Sequence, residues 1–445
     1  MTRICPLLRA LPLLLPGALA AQSPVTLTLG GAARLAAAQS GASIIARTRV
    51  EQADARVRQA RSLLFPTLSA TAGESERNQN TATFGFSFRG PTGTPLFNPN
   101  GQILPPVKVM DFRGRVQANL LDLSVGAKLG AVRQQSRVAE AEAAGAGDQA
   151  ATLAAAAYVR AVRADAAMGA RLADSTLAAE LLTIAGEQVQ AGVGVALDVT
   201  RARSQLSQAH AQLIAARADC DRTRLDLHRI IGLDPAAPLV LADSLMSLPV
   251  DATAPSVDEA TRVALAHRAD LRSIEEQRRA AERSVAATKL ERLPTLGVFG
   301  DQGVIGPSAA HLLNTYAWGV QVAIPLFDGF RREGRLEEQR AQVRETEARH
   351  HDLEAQTGIE IRAALLDLRS AREMLDAATE RLSLAQQELE QARARFTAGV
   401  SGNADVITAS LALNSARTQE IDARAALQAA RVTLARAEGT VTELP

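Results

Sequence analysis

From Ile361 to Ala437 the chain sets a large apolar residue every seven positions and follows it, three residues on, with alanine. Leu368/Ala371, Leu375/Ala378, Leu382/Ala385 and Leu389/Ala392 lead to Phe396. Beyond Ala398-Gly399-Val400-Ser401-Gly402 the pattern resumes as Val406/Ala409, Leu413/Ala416, Leu427/Ala430 and Leu434/Ala437. A spacing of seven keeps one stripe of a helix turned toward a partner over many turns. Alternating a bulky residue with alanine makes that stripe thin, so neighbouring helices approach closely. The sequence therefore predicts two long helices joined by a glycine turn and built for side-by-side packing.

The hairpin occurs twice. Phe65-Pro66-Thr67-Leu68 and Leu293-Pro294-Thr295-Leu296 align at an offset of 294 − 66 = 228. Ala191-Gly192-Val193 and Asp198-Val199 align with Ala398-Gly399-Val400 and Asp405-Val406 at 207. The difference is a loop insertion in the first copy, where Arg77 to Asp111 is rich in Asn, Thr, Gly and Pro. Exposed loops grow in this way without disturbing their flanks, and duplication of this length marks one structural unit used twice. The first repeat is set at 21–247 and the second at 248–445. Each is read as a helix of about 35 residues stopped by proline, two strands, a very long helix, a glycine turn and a return helix. The strands are placed at about 67–88 and 108–123, then 295–304 and 314–326. The long helices are placed at 124–190 and 330–397, and the return helices at 196–231 and 404–440. A proline-punctuated connector follows Gly232, with a short extended run at Leu239–Leu241.

Residues 1–20 read as a secretory leader: Arg3 and Arg9, an apolar core from Leu11 to Leu19, and small residues at Ala18-Leu19-Ala20. The core is too short to span a membrane. Cys5 precedes it, which leaves Cys220 as the one cysteine of an exported chain, with no internal disulfide. Cys220 falls seven after Leu213 and reads as a seam residue. Lysine plus arginine number 49 and aspartate plus glutamate 48. That balance gives no footing for nucleic acid.

Strict alternation marks the strands. Phe112, Gly114, Val116, Ala118 and Leu120 oppose Arg113, Arg115, Gln117 and Asn119. In the second copy Tyr316, Trp318, Val320, Val322 and Ile324 share one face. Alternation over about ten residues with aromatics at one end suits a strand between lipid and water, with Tyr316 and Trp318 at the membrane interface. An amphipathic strand of a soluble sheet alternates too. The concentration of aromatics in a chain only 3% aromatic favours lipid. Four strands cannot close a barrel whose smallest single-chain form has about eight. Several copies must pool theirs, and three copies supply 3 × 4 = 12 in a closed ring.

The two-fold repeat, the Pro66 and Pro294 helix ends, the strand exit Ile324-Pro325-Leu326-Phe327-Asp328-Gly329 and the two glycine turns together resemble the TolC family of outer-membrane efflux proteins. The resemblance covers nearly all of the chain beyond the leader. It implies a mainly α fold with a membrane β-barrel portion: a homotrimeric channel-tunnel with a 12-stranded barrel in outer-membrane lipid and a long α-helical periplasmic barrel. It also implies docking with a periplasmic adaptor and an inner-membrane pump, for export of small molecules or, alternatively, of proteins in a type I secretion system. A non-conducting periplasmic coiled-coil scaffold is the reading from another class. By the same resemblance Gly192, Val193, Gly399 and Val400 are docking positions, and Asp198, Phe396 and Asp405 belong to the periplasmic gate. The family's second constriction aspartate is Thr408 here, its latching tyrosine is Phe396 and its latching arginine is Ser401. Taken alone, glycine at the turns and aspartate after them are also what helix ends require.

Enzyme chemistry is not expected. The six histidines are scattered and show no i, i+4 pair with a glutamate, Gly192-Val193-Gly194 follows a helix and lacks a phosphate loop's lysine, and no Gly-x-Ser-x-Gly elbow exists. No cofactor and no metal site are expected. The missing latch groups generate a prediction: a looser gate, read in planar bilayers as a single-channel conductance above that of relatives retaining both groups. An equally small conductance would refute it.

Overall fold

The computed structural model describes residues 25–84, 89–94, 98, 100–250, 254–398 and 400–445; the leader lies outside them. In chain order the elements are β1 (Val25–Leu27), α1 (Leu29–Gln39), α2 (Gly41–Ser62), β2 (Thr67–Asn80), β3 (Ile103–Leu121), α3 (Leu123–Gln190), α4 (Ala196–Ile231), β4 (Leu239–Leu241), α5 (Val257–His267), α6 (Ala269–Leu290), β5 (Thr295–Gly306), β6 (Leu313–Ala323), α7 (Arg331–Thr397) and α8 (Asn403–Glu438). Gly145 and Gly147 do not interrupt α3. Two compact units result. One gathers residues up to Gly41, Asp148–Val257 and Arg362–Pro445; the other gathers Ala42–Gly147 and Asp258–Ile361. Among the described residues no helix is long and apolar enough to cross a membrane.

The single helix expected before each proline is two helices. One residue breaks each: Ser40 at φ −60°, ψ 151° and Arg268 at φ −62°, ψ 121°. Their separation, 268 − 40 = 228, is the offset of the prolines, so the break belongs to the repeated unit. Thr28 caps α1 by accepting from the Gly31 N–H at 3.0 Å. In the second copy Arg268 donates to Asp270 and Glu360, each at 2.6 Å. The return helices also end alike, with Gly232 at φ 73° and Gly439 at φ 77°, a left-handed conformation that glycine adopts without steric cost.

The Ala42–Gly147/Asp258–Ile361 unit holds an antiparallel sheet in the order β2-β3-β5-β6. The β3–β5 pairing joins the two repeats, and β2 and β6 are its edges. The register places Leu68, Val116, Gly300 and Trp318 in one row, and Ala70, Gly114, Gln302 and Tyr316 in the next on the same face. That face is largely apolar and exposed, with Tyr316 at 72% and Trp318 at 77%. The opposite face is polar. Arg113 donates to Asp301 at 2.6 Å and to Asp111 at 3.3 Å, and Arg115 stands opposite Asp301. Phe299 lies over Gly319, where a Cβ would come within 2.9 Å of the ring. The strands begin and end within a few residues of expectation, except that β2 stops at Asn80 and residues 85–88 lie outside those described.

In the other unit β1 and β4 pair in parallel, Val25 opposite Leu239 and Leu27 opposite Leu241, so the short extended run of the connector is a strand. The core beside it is rich in alanine: Ala32, Ala33 and Ala36 of α1 cluster with Ala151, Ala154, Ala155 and Ala161 of α3, and with Leu227 and Ile231 of α4. One large polar side chain is sealed within it. The Tyr158 hydroxyl lies 2.9 Å from both Leu27 O and Asp243 Oδ2 and accepts from the Asp243 N–H at 3.2 Å; Asp243 also accepts from the Leu29 N–H at 3.0 Å. Burial raises the Tyr158 phenol well above its ordinary pKa, so it stays a donor. Tyr158→Phe should strand the Asp243 N–H and weaken the tie between β1, α3 and the connector. A cost of about 1–3 kcal/mol is expected, visible as a lowered unfolding midpoint of the detergent-solubilised protein.

Candidate functional site at the helical tip

The two glycine turns close their hairpins with one hydrogen-bond pattern. After α3 the Gly192 N–H donates to Val189 O at 3.1 Å and the Val193 N–H to Gln188 O at 3.1 Å, with Gly192 at φ 75°. This paired closure of a helix end requires a left-handed residue, hence glycine. After α7 the Val400 N–H donates to Arg395 O at 2.9 Å, the equivalent bond 207 residues on; Gly399 lies outside the described residues. Gly194 is fixed by space, since a Cβ there would fall 2.9 Å from Gln188. Asp198 and Asp405 occupy the first turns of α4 and α8, where a carboxylate is favoured by the helix dipole. Neither α4 nor α8 has a side-chain cap. Apolar side chains project from both turns: Val193 is 81% and Val400 70% exposed.

Behind the turns, the predicted seam is the core. Leu389 and Phe396 of α7 and Val406, Ala409, Leu413 and Ala416 of α8 pack with Leu177 and Leu181 of α3. Phe396 is 4% exposed, so its ring is a packing group within this chain. Asp405 and Thr408 are exposed, and Asp198 is half-buried with Arg201 at 3.8 Å. Farther up the seam, Ala371, Leu375, Leu427 and Ala430 form the corresponding cluster.

Residues 261–440 match the outer membrane efflux protein family. The chain is 27% identical over 287 residues to Protein CyaE of Bordetella pertussis, covering 64% of this chain and 60% of that protein. It is 26% identical over 247 residues to the alkaline protease secretion protein AprF of Pseudomonas aeruginosa, covering 52% and 49%. The chain thus spans about three fifths and one half of these curated relatives. The crystal structure of the outer membrane protein VceC from Vibrio cholerae superposes with a TM-score of 0.71 at 20% identity, covering 92% of this chain and 96% of that one. At that identity the likeness shows the fold. The part of the chain that matches the outer membrane efflux protein family is residues 261–440. The chain's fold is that of the TolC-like outer-membrane channels, and its place is the cell outer membrane with the tunnel portion in the periplasm. That fold is one of channel proteins.

The structure brings Gly192, Val193, Asp198, Phe396, Val400 and Asp405 to the ends of four helices of one unit. Two contacts there escaped sequence reasoning. The buried Asn403 donates through Nδ2 to Asp198 O at 3.2 Å, hooking one hairpin to the other. Its Oδ1 and the Ser401 hydroxyl are buried without a hydrogen bond. The second contact is Asp174 on α3. It is sealed from solvent and accepts from Arg171 at 3.2 Å and from Arg417 of α8 at 3.1 Å. The one available signal is a carboxylate seven residues before Leu181, on the seam register. Burial raises the Asp174 carboxyl above its usual pKa, although Arg417 and Arg171 pull the other way. A carboxyl raised on folding contributes most when protonated, and that contribution is lost as pH rises from its unfolded value through the folded one. The unfolding midpoint of the parent relative to Asp174→Asn should therefore fall as pH rises through the carboxylate range. A pH-independent difference would show that Asp174 does not titrate there.

Proposed function

We propose that this chain is the outer-membrane duct of a tripartite export system, a passive conduit for small toxic molecules that docks with a periplasmic adaptor and an inner-membrane pump. The observation that carries this reading is the sheet: four strands with two free edges and an exposed apolar face ending in Tyr316 and Trp318. In hydrocarbon every unpaired backbone group costs several kcal/mol. The sheet must be closed, and four strands are too few. A homotrimer with a 12-stranded barrel meets that demand with cyclic symmetry. The polar face carrying Arg113, Arg115 and Asp301 then lines water. The match of residues 261–440 to the outer membrane efflux protein family supports the same reading.

On this reading the tip is where the adaptor docks and the gate works. Val193 and Val400 present exposed apolar knobs at the two turns, Gly192 and Gly399 are the other docking positions, the exposed Asp405 lines the constriction, and the half-buried Asp198 helps tie neighbouring helices shut. Phe396 contributes by packing, because its ring is already enclosed. Protein secretion is a second reading, favoured by the match to a relative named for alkaline protease secretion.

The test is the mass of the detergent-solubilised particle together with its conductance in planar bilayers. A three-copy particle that conducts is expected; a monomer soluble without detergent, or a trimer that never conducts, would overturn the proposal, the second in favour of a scaffold. A deletion strain sensitised to small toxic compounds supports efflux. One that retains a secreted protein instead supports the secretion duct.

A further inference from the structure

Away from the tip, one group of side chains has the geometry of a cation site. His350, His351 and Glu354 lie on α7 within the sheet-bearing unit. Neighbouring residues diverge by about 100° around a helix, and a residue four positions on returns to within about 40°. Glu354 therefore projects between the two imidazoles, one turn further along. Helical side chains lean toward the N-terminus, which carries its carboxylate back to the rings. The distances agree: Glu354 Oε2 is 3.7 Å from His350 Nδ1 and 3.5 Å from His351 Nδ1. One ligand atom from each of the three lies within 4.8 Å of the others. A tetrahedral ion bound to imidazole nitrogen and carboxylate oxygen at about 2.0–2.2 Å sets those atoms about 3.4 Å apart. Small side-chain rotations complete the fit, and exposure of His351 and Glu354 leaves the fourth position to water.

We propose that His350, His351 and Glu354 form a three-ligand site for a borderline divalent cation of the Zn2+, Ni2+ or Cu2+ kind. Two nitrogen donors and one carboxylate select against Mg2+ and Ca2+, which take oxygen. The i+4 position after His350 holds a glutamate, so the site has no i, i+4 histidine pair to mark it in the sequence. The ordinary alternative is a carboxylate that pairs with the imidazoles as they protonate. The proposal stands independently of the export reading, since it rests on one turn of one helix.

The experiment uses the untagged full chain in detergent, titrated with Zn2+ by calorimetry and with Cu2+ by electron paramagnetic resonance. One ion per chain is expected, with nitrogen coupling in the Cu2+ spectrum from two imidazoles and no response to Mg2+. His351→Ala and Glu354→Gln should each lose stoichiometric Zn2+ binding while melting as the parent does. His210→Ala, at an exposed histidine of α4, should keep it. Absence of saturable Zn2+ binding, or binding unchanged in His351→Ala, would overturn the proposal and leave the ion-pair explanation.

Discussion

A strand in lipid has no water to satisfy its free edge, and that constraint reaches through the rest of this chain. The sheet β2-β3-β5-β6 leaves a row of backbone groups on β2 and another on β6. Its apolar face rules out the usual remedy of a wet, charged edge. On the proposed reading as a membrane element, neighbouring copies supply the missing partners. On that same reading the helices that continue from β3 and β6 are crowded side by side.

Alanine is how the helices meet that crowding. Their clusters mix the two kinds of residue: Leu375 and Leu427 with Ala371 and Ala430, and Leu389, Phe396 and Leu413 with Ala385, Ala409 and Ala416. A seam of this kind tolerates few polar residues. Those it encloses are bound: Tyr158 to Asp243, Asp174 to Arg171 and Arg417, and Asn403 to Asp198. Two of the buried polar atoms left without a hydrogen bond, Asn403 Oδ1 and Ser401 Oγ, lie at the tip.

Much of this was legible in the chain itself, because periodic signals are local. The seven-residue spacing named Leu389, Phe396, Val406 and Leu413 as one seam, and the two-residue alternation named the exposed face of β6. Gly232-Leu233-Asp234-Pro235 and the run at Leu239 marked the connector and its strand. What stayed hidden depends on partners distant in sequence or on a single dihedral angle. Asp174 and Arg417 lie 243 residues apart. Nothing in His267-Arg268 announces a break, and the Arg268 contact with Glu360 is 92 residues away. Proline stopped the helices as expected, but the earlier break at Ser40 came without one.

The duplication was therefore a reliable guide to backbone and a poor guide to chemistry. Ser40 and Arg268, Val193 and Val400, Gly232 and Gly439 repeat one another in conformation or hydrogen bonding, although at Ser40 and Arg268 the side chain has changed completely. The tip shows what that divergence does. Asn403 occupies the place that Ala196 holds in the first copy, 403 − 196 = 207. Only the second hairpin has an amide able to reach across, and it binds the backbone of Asp198. Alanine returns no such contact. The two hairpins are thus unequal despite matching turns: the first offers a carbonyl and the second the hook. Any relative movement of the first turns of α4 and α8 must break that bond.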